Sequence, residues 1–280
     1  MDSRHDERGS QTGIGFSMRE VSYFLSDAHI GAGYITDPGE HERRLVALLH
    51  EMEKDAEAVY LLGDILDFWF EYHHVVPKGH VRLFGQIARM TDMGIRVYWF
   101  RGNHDMWTYT YLRDELGVTV IDEDLITDIH GKRFFLSHGD NLGPQPKSYR
   151  AMRSVFRSPF WQAVGRALHP SWLMSFGFSW SSHNRLKHTP TQPEYRGDDV
   201  EPQMIFATEF SAEHPDIDYF VMGHNHVAVI RPVPMSEHAQ YVCLGDFFTL
   251  FTFGRFSKGK GFEILTNEQC DRKTGELYKF

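Results

Sequence analysis

The chain has 280 residues, of which 41% are hydrophobic and 24% are charged, and its formal net charge is −9 at pH 7. This composition allows one large core or two small ones, and no uncharged apolar run is long enough to predict a membrane-spanning helix. The two cysteines, Cys243 and Cys270, form no CxxC pair, which argues against a disulfide framework and against a cysteine metal site.

The N-terminal residues 1–18 are polar and lack the apolar stretch of a signal peptide. We interpret them as a disordered extension and expect a cytoplasmic protein, which the low cysteine content also favours. Residues 19–266 are interpreted as one domain and residues 267–280 as a C-terminal tail.

Residues 19–140 alternate between strand-like and helix-like segments. Strand patterns occur in EVSYFLSD, AVYLLGD and IRVYWFRGN, and helical periodicity occurs between them in HERRLVALLHEMEKD and GHVRLFGQIARMTDMG. This alternation predicts a largely parallel sheet with helices on its faces. Further short strands, from VTVID to LFTFGRF, follow towards the C-terminus. We therefore predict an α/β fold in which two sheets pack face to face with helices outside.

Residues 141–190 differ from the rest of the chain in charge, because they contain seven basic and no acidic residues. They also hold three of the six tryptophans, Trp161, Trp172 and Trp180. We interpret the segment as a helical insertion that spans about residues 141–198. A helical hairpin with solvated arginines is the alternative. The basic residues are Lys147, Arg150, Arg153, Arg157, Arg166, Arg185 and Lys187.

Five predicted strands end in clusters of Asp, His and Asn. The clusters are SDAH at 26–29, GDILD at 63–67, GNHD at 102–105, SHGD at 137–140 and GHNH at 223–226. Ligands bind at the carboxyl ends of strands in open α/β sheets, so these clusters should converge on one rim. One cluster alone could be an ordinary turn, but five in this order indicate a shared site.

The residue types predict a site for divalent metal ions, since imidazoles and carboxylates without thiolates suit Mn, Fe, Zn or similar ions. Seven candidate ligands are too many for one tetrahedral ion, whereas two ions that share a carboxylate would use them all. Asp64 is the natural bridge. The candidate ligands are Asp27, His29, Asp64, Asn103, His138, His224 and His226.

Two ions about 3.5 to 4 Å apart can clamp both oxygens of an in-line phosphoryl displacement. The ligand set therefore predicts hydrolysis of a phosphoester or a pyrophosphate. We expect His104 to donate to the phosphoryl oxygen or the leaving group, held in one tautomer by Asp105. Asp67 and Asp140 have two interpretations, as acceptors near the metal ligands or as turn and helix-capping residues.

The ordered motifs D-x-H, G-D-x-x-D, G-N-H-D, H-G-D and G-H-x-H resemble the signature of the calcineurin-like metallophosphoesterases and span residues 27–226. Longer strings, including FLSDAHIGA, RGNHDMWTYTYL and SWSSHNRL, are similar to the UDP-2,3-diacylglucosamine diphosphatases of lipid A biosynthesis, in their Bacteroidetes form. One departure is His104, where the proteobacterial members carry Arg. It leaves the metal site intact but weakens the transfer of substrate identity from those members.

The resemblance implies a β-sandwich flanked by helices, with the insertion as a helical lid. It implies Mn²⁺ as the usual metal, with one ion held by Asp27, His29, Asp64 and His226 and the other by Asp64, Asn103, His138 and His224. It also implies cleavage of UDP-2,3-diacylglucosamine to UMP and 2,3-diacylglucosamine 1-phosphate (lipid X) at the cytoplasmic face of the inner membrane. The expected substrate-binding residues of the lid are Arg150, Arg153, Arg157, Trp161, Trp180 and His183.

Three other functions compete with this interpretation. A paralogous phosphodiesterase or nucleotide pyrophosphatase with a soluble substrate would keep the same ligands. A binding scaffold without catalysis would be expected to lose ligands, and this chain retains all seven. A nucleic-acid binder could use the basic insertion, but the net charge of −9 argues against a broad phosphate-binding surface, so we expect no nucleic-acid partner.

Overall fold

The computed structural model describes residues 19–187 and 194–267, with the side chains of 182–187 outside the description. The predicted disordered extension lies outside these ranges, and so does the predicted C-terminal tail except for Asn267. Within the described ranges, every helix is too short or too polar to cross a lipid bilayer.

Eleven strands and seven helices are formed by the described residues. The strands are β1 Val21–Leu25, β2 Ala56–Leu61, β3 Arg96–Phe100, β4 Thr119–Ile121, β5 Asp124–Ile129, β6 Lys132–Ser137, β7 Tyr219–Met222, β8 Ala228–Pro232, β9 Gln240–Leu244, β10 Thr252–Ser257 and β11 Gly261–Thr266. The helices are α1 Pro38–Met52, α2 Val81–Asp92, α3 Tyr111–Leu116, α4 Lys147–Arg157, α5 Pro159–Ala167, α6 Pro170–Lys187 and α7 Pro202–Glu213.

The strands form two mixed sheets. The first has the order β11-β10-β1-β2-β3-β4, in which β1 to β4 are parallel and β10 and β11 are antiparallel to their neighbours. Helices α1, α2 and α3 connect the parallel strands, because parallel pairing requires a crossover. The second sheet has the order β5-β6-β7-β9-β8, with β6, β7 and β9 parallel at its centre. The predicted α/β architecture is confirmed.

A stack of aromatic rings fills the space between the two sheets. Phe24 of β1 stacks on Tyr60 of β2 and on Phe134 of β6, with ring centroids 5.0 and 5.8 Å apart. Phe24 and Phe134 are fully buried. Rings from both sheets remove a large apolar area from water in one layer, which stabilises the contact. The sheets therefore pack face to face, as the sequence predicts.

Helices cover the outer face of each sheet. On the first sheet, α2 buries Leu83 and Ile87, four residues apart on one side of the helix, in a cluster shared with α1. On the second sheet, α7 packs Met204 and Ala207 against Phe220 of β7. The protein thus has four layers in the order helix, sheet, sheet, helix. The helices cover the faces of the sheets, so the loops that follow the strands lie together at one rim.

Two elements of the described structure, α3 and β11, are missing from the sequence prediction. Helix α3 has only six residues, too few for helical periodicity to be recognised. Strand β11 forms a hairpin with β10 through the three-residue turn 258–260. The glycine in that turn is the signal that could have predicted it.

Three helices, α4 to α6, follow β6 in the described part of the insertion. Helices α5 and α6 begin with Pro159 and Pro170, because the first helical turn needs no N–H partner there. The insertion packs on the loop after β3, where the Trp107 indole donates a hydrogen bond to the Phe156 carbonyl at 2.9 Å. The insertion therefore lies against a strand exit that carries a polar cluster. Its boundaries at 141–198 stay a prediction.

Glu71 ties the loop after β2 to the start of α3. Its buried carboxylate accepts hydrogen bonds from the backbone N–H groups of Tyr109, Thr110 and Tyr111 at 2.7, 2.8 and 3.0 Å. Glu71→Ala should lower the free energy of unfolding by roughly 2 to 4 kcal/mol, because these donors would lose their acceptor in a part-buried setting. Chemical denaturation measures the change.

The matched control is Glu115→Ala, which removes an exposed carboxylate from α3 itself. This variant should change the free energy of unfolding by less than about 0.5 kcal/mol, as is usual for exposed positions without special contacts. If Glu71→Ala were as stable as Glu115→Ala, the hydrogen bonds of the Glu71 carboxylate would not stabilise the contact between the loop after β2 and the start of α3.

Candidate metal centre

The polar clusters that end five strands meet at one rim of the molecule. Strands β1, β2 and β3 are neighbours in the first sheet, and β6 and β7 are neighbours in the second. Parallel neighbours end at the same edge of a sheet, so the side chains that follow them come close together. The structure brings together all seven candidate ligands, Asp27, His29, Asp64, Asn103, His138, His224 and His226.

Asp27, His29 and His226 form the first group of candidate ligands. The Asp27 Oδ1 atom lies 3.4 Å from His226 Nε2 and 3.9 Å from His29 Nε2. This oxygen is buried and accepts no hydrogen bond from the described residues, whereas Oδ2 accepts one from the His224 backbone N–H at 2.8 Å. A buried carboxylate oxygen without a donor is unfavourable, and a cation between the three side chains would remove that penalty.

Asp64, Asn103, His138 and His224 form the second group. His138 Nε2 lies 3.4 Å from Asp64 Oδ2 and 3.1 Å from Asn103 Oδ1. The His224 ring centroid is 5.2 Å from that of His138. The same Asp64 oxygen lies 3.8 Å from His29 Nε2, so it stands between the two groups. A ligand shared by two cations requires this position.

Acceptors on the Nδ1 side orient two of these histidines. His29 Nδ1 lies 3.2 Å from Asp67 Oδ1, and His138 Nδ1 donates to the Leu62 carbonyl at 2.9 Å. A proton on Nδ1 leaves the Nε2 lone pair directed at the neighbouring carboxylates, which is the tautomer of a metal-binding imidazole. Of the two interpretations of Asp67, the structure favours the acceptor.

Asp246 orients a third histidine and is a residue that the sequence analysis missed. Its Oδ2 atom lies 3.5 Å from His226 Nδ1. Its Oδ1 atom accepts hydrogen bonds from the backbone N–H groups of Phe248, Thr249 and Leu250 at 3.2, 2.7 and 2.9 Å. A signal was present, because the Gly-Asp pair after β9 repeats the pair after β2.

The backbone at the rim is strained. Positive φ angles, which cost side-chain-bearing residues about 1 to 3 kcal/mol each, occur at five of the seven candidate ligands. These five have φ from 46° to 69° and are Asp27, His29, Asp64, His224 and His226. Two glycines allow the close approach of the loops, since a Cβ on Gly102 would collide with Asp64 and one on Gly223 with Asp27. Such strain is concentrated at functional sites in proteins.

Burial and neighbouring charges shift the pKa values of the site in opposite directions. Burial alone would lower the pKa of His138, but the charge and hydrogen bond of Asp64 and the charges of further carboxylates together raise the pKa to about 10. Burial and the adjacent His138 lower the pKa of His224 to about 4. Burial would raise the pKa of Asp64, yet the neighbouring histidines together, His138 above all, hold it well below its usual range. A proton bound so tightly indicates excess negative charge, which a divalent cation would also neutralise.

His104 faces the candidate metal centre and is oriented by backbone contacts. Its Nδ1 atom donates to the Asp67 carbonyl at 2.8 Å, and its backbone N–H donates to Asp64 Oδ1 at 2.8 Å. Because a carbonyl only accepts, Nδ1 carries a proton, and Nε2 is the nitrogen available to a ligand. His104 is also close enough to His29 and Asp64 to share a cation with them.

The expectation that Asp105 holds His104 in one tautomer is wrong. The fully buried Asp105 carboxylate instead accepts hydrogen bonds from backbone N–H groups, including those of Gly102 at 2.8 Å and Ile65 at 3.0 Å. The tight turns after β2 and β3 leave these donors without other partners, and they direct the Asp105 side chain away from the imidazole. Burial and the charge of Asp64 raise the pKa of Asp105 to about 6. Asp105 thus connects the loop after β2 with the loop after β3 through hydrogen bonds.

A cavity of about 450 Å³ lies between the candidate metal centre and the insertion. Its lining includes Asn103, His104 and His224 from the rim. Its apolar wall is formed by Phe68, Met106, Trp107, Phe156, Phe176 and Trp180. A cavity that joins a cation-binding rim to aromatic side chains can accommodate a ligand with an anionic head and an apolar tail.

Two of the six predicted substrate-binding residues, Arg153 and Trp180, line this cavity. The others are Arg150, Arg157 and Trp161, which are not among its lining residues, and His183, whose side chain lies outside the described residues. Arg153 donates to Asp140 Oδ2 at 2.9 Å, so its charge is already partnered. Tyr149, which the sequence analysis missed, also lines the cavity and donates to the same oxygen at 3.0 Å. Asp140 therefore contacts the insertion.

Arg157 and Trp161 depart from the prediction for physical reasons. The Arg157 guanidinium lies 3.4 Å from Glu123 and 3.2 Å from the Asp122 carbonyl, so it faces the body of the protein at the start of β5. The Trp161 side chain is 51% exposed on α5. Sequence showed that both residues belong to the insertion, but not which side of their helices faces the rim.

Known proteins are similar to this chain over most of its length. Residues 23–228 match the family model for calcineurin-like phosphoesterases. The UDP-2,3-diacylglucosamine hydrolase of Porphyromonas gingivalis is 37% identical over 240 residues, which cover 82% of this chain and 91% of that protein. The protein of the same name from Nitrosococcus oceani is 24% identical, and the match covers 81% of this chain and 87% of that protein. A solved structure reported as a novel archaeal phosphodiesterase has a TM-score of 0.44 at 14% identity. The match covers 88% of this chain and 98% of that chain.

The family match includes all five clusters whose side chains meet at the rim, from SDAH after β1 to GHNH after β7. The same side chains form the His and Asp groups that could hold divalent cations. One group contains a buried carboxylate oxygen without a hydrogen-bond donor, and the other contains a carboxylate oxygen that stands between the two groups. Fold, site and sequence match agree, and the chain belongs to the calcineurin-like phosphoesterase family.

Proposed function

We propose that this chain is a metal-dependent hydrolase that cleaves the pyrophosphate of UDP-2,3-diacylglucosamine, giving UMP and 2,3-diacylglucosamine 1-phosphate. The observation that carries the proposal is the cavity that joins the candidate metal centre to an aromatic wall. The substrate has the same two parts, an anionic pyrophosphate and two acyl chains. The relative from P. gingivalis, 37% identical to this chain, is named for hydrolysis of this compound.

Two divalent ions, with Mn²⁺ the best candidate, would be held at the rim. One would be bound by Asp27, His29, Asp64 and His226, and the other by Asp64, Asn103, His138 and His224. These two sets are supported by Asp27 Oδ1, which has no hydrogen-bond donor among the described residues, and by the position of Asp64 Oδ2 between the two groups. The mixture of imidazole and carboxylate suits Mn, Fe, Zn or similar ions, and the family resemblance implies Mn²⁺ among them. When bound, such a pair neutralises phosphoryl oxygens and makes water a stronger nucleophile.

The protein's own side chains would orient the reacting groups. Water adds to the α-phosphorus, and the bond from that phosphorus to the bridging oxygen breaks, so the added oxygen leaves with UMP. His104 uses Nδ1 on the Asp67 carbonyl, which leaves Nε2 to donate to the phosphoryl or leaving oxygen when the imidazole is protonated. The aromatic wall would bind the acyl chains by burying apolar area.

A hydrolysis assay with purified protein and Mn²⁺ tests the proposed substrate. The ratio kcat/KM for UMP release should be at least about 10²-fold higher for UDP-2,3-diacylglucosamine than for UDP-glucosamine, because only the acylated compound buries apolar area against the wall. A generic aryl phosphodiester, which needs only the metal centre, is the control substrate. Equal values for the acylated and deacylated compounds would favour the alternative hydrolase with a soluble substrate.

Asp64→Ala and His104→Ala should impair the enzyme in different ways. Without the shared carboxylate, Asp64→Ala should lose paired Mn²⁺ binding and activity together. His104→Ala should keep both ions but lower kcat by about 10²- to 10³-fold, because it removes a positioned donor. Metal content of the dialysed protein and kcat for UMP release measure the two effects.

Each variant has its own contrary outcome. An Asp64→Ala protein that bound two ions and turned over substrate would refute the bridging role of this carboxylate. Unchanged turnover of His104→Ala would remove that imidazole from the reaction.

We also infer that the insertion contacts the surface of the membrane that holds the lipid substrate. Phe160, Trp161 and Trp172 are 66%, 51% and 71% exposed on α5 and α6, although large aromatic side chains are usually buried. Lys147 and Arg150, on α4, are exposed cations. Aromatic side chains insert at the lipid interface, and basic ones are attracted to anionic headgroups.

Vesicle flotation tests this contact. Wild-type protein should float with vesicles of phosphatidylethanolamine and phosphatidylglycerol, and a Trp161→Ala/Trp172→Ala variant should bind them at least about tenfold more weakly, since tenfold corresponds to ~1.4 kcal/mol of lost apolar burial. Met235→Ala, which removes an apolar side chain that is 99% exposed far from the insertion in sequence, is the control. Equal binding by all three proteins would exclude the aromatic contact.

A further inference from the structure

Asp67 connects the insertion with two histidines of the candidate metal centre. Its Oδ1 atom accepts a hydrogen bond from the Ser181 hydroxyl at 2.8 Å and lies 3.2 Å from His29 Nδ1. Its backbone carbonyl accepts from His104 Nδ1 at 2.8 Å. Ser181, Asp67 and His29 are each at most 1% exposed, so water is kept from these contacts. One residue therefore contacts α6, a candidate metal ligand and the candidate donor.

The insertion packs so closely on the loop after β2 that Ser181 can reach this carboxylate. Gly177 precedes Ser181 by four residues and lies on the same side of α6, and a Cβ on Gly177 would collide with the Phe68 ring. Gly165 of α5 makes a similar contact, since a Cβ there would lie 3.0 Å from Phe70 Cζ. The absence of side chains at these two glycines thus allows α5 and α6 to pack closely on adjacent parts of the loop after β2.

We propose that Ser181 is a positioning residue, through which the packing of α6 on the loop after β2 sets the orientation of His29. The inference rests on the proposed function, in which His29 binds a metal ion. The Ser181 hydroxyl holds the Asp67 carboxylate with Oδ1 towards His29 Nδ1, which keeps Nε2 directed at the cation. Partners of this kind fix the tautomer and ring orientation of metal-binding histidines. The insertion then completes the metal centre as well as the apolar wall.

Coupling of this kind works in both directions. If the packing of α6 strengthens cation binding, cation binding must strengthen the packing of α6 by the same free energy. The structure contains contacts that can transmit this coupling, because two buried contacts connect Ser181 through Asp67 to His29. A purely steric cover over the cavity would show no such dependence on metal.

Calorimetric titration of the full chain with Mn²⁺ tests the role of Ser181. Loss of a direct partner of a metal-binding histidine weakens metal affinity about 10- to 100-fold, so we expect Ser181→Ala, one contact further away, to raise the Kd for Mn²⁺ by roughly 3- to 10-fold. Ser181→Thr keeps the hydroxyl and should restore the affinity. Ser179→Ala, at an exposed position of α6, is the matched control and should bind as the wild type does.

A double-mutant cycle separates positioning from a general effect on α6. In an Asp67→Ala background, Ser181→Ala should leave the Kd for Mn²⁺ unchanged, because the carboxylate through which Ser181 acts on His29 has been removed. A merely structural effect would appear in both backgrounds. Alanine favours helix more than serine does, and thermal unfolding of the metal-free variants checks that each one folds.

Hydrogen exchange gives a readout that needs no substrate. Mn²⁺ should slow amide exchange in α6 of the wild type, and the protection should be lost in Ser181→Ala. Equal Mn²⁺ affinity and equal protection in wild type and Ser181→Ala would overturn this inference alone. A wild-type protein that bound no Mn²⁺ would overturn the proposed metal centre, and the positioning role of Ser181 with it.

Discussion

Two buried carboxylate oxygens at the rim, one without a hydrogen-bond donor and one between two imidazoles, are the constraint around which this molecule is arranged. Asp27 Oδ1 has no donor among the described residues, and Asp64 Oδ2 stands between two imidazole nitrogens. Such oxygens are unfavourable in a folded protein unless a cation or a proton accompanies them. The left-handed backbone at the strand exits adds further cost. A divalent cation gives these features one common explanation.

The rest of the fold follows from the need to hold those oxygens together. Stacked rings between the sheets fix the relative position of β1, β2 and β6, whose ends carry groups from both sides of the rim. The rim alone would bind phosphate without regard to what is attached to it. Helices α4 to α6 add an aromatic wall beside it, and Asp67 joins that wall to the metal centre through Ser181 and His29. In the proposed function, one loop therefore contributes both to substrate selection and to metal binding.

The five strands that end at the rim could be predicted because each combines a β-forming run with Gly, Asp or His at its end. Helix α3 could not, since six residues do not establish a period. Asp105 was assigned to His104 because it follows it in sequence, but the turn directs its carboxylate to backbone donors instead. The charge of the insertion was visible in the sequence, whereas the acidic partner Glu123, which lies outside it and engages Arg153 and Arg157, was not. The direction of a side chain and its hydrogen-bond or ion-pair partners depend on tertiary contacts, which sequence alone does not show.

The proposed chemistry depends above all on two cations that share the Asp64 carboxylate at this rim. A crystal structure of the protein grown with Mn²⁺, with anomalous data collected at the manganese edge, tests it directly. We expect two anomalous peaks about 3.5 to 4 Å apart, both adjacent to Asp64, with one beside Asp27 and the other beside His138. A single peak, or two peaks of which one does not contact Asp64, would contradict it.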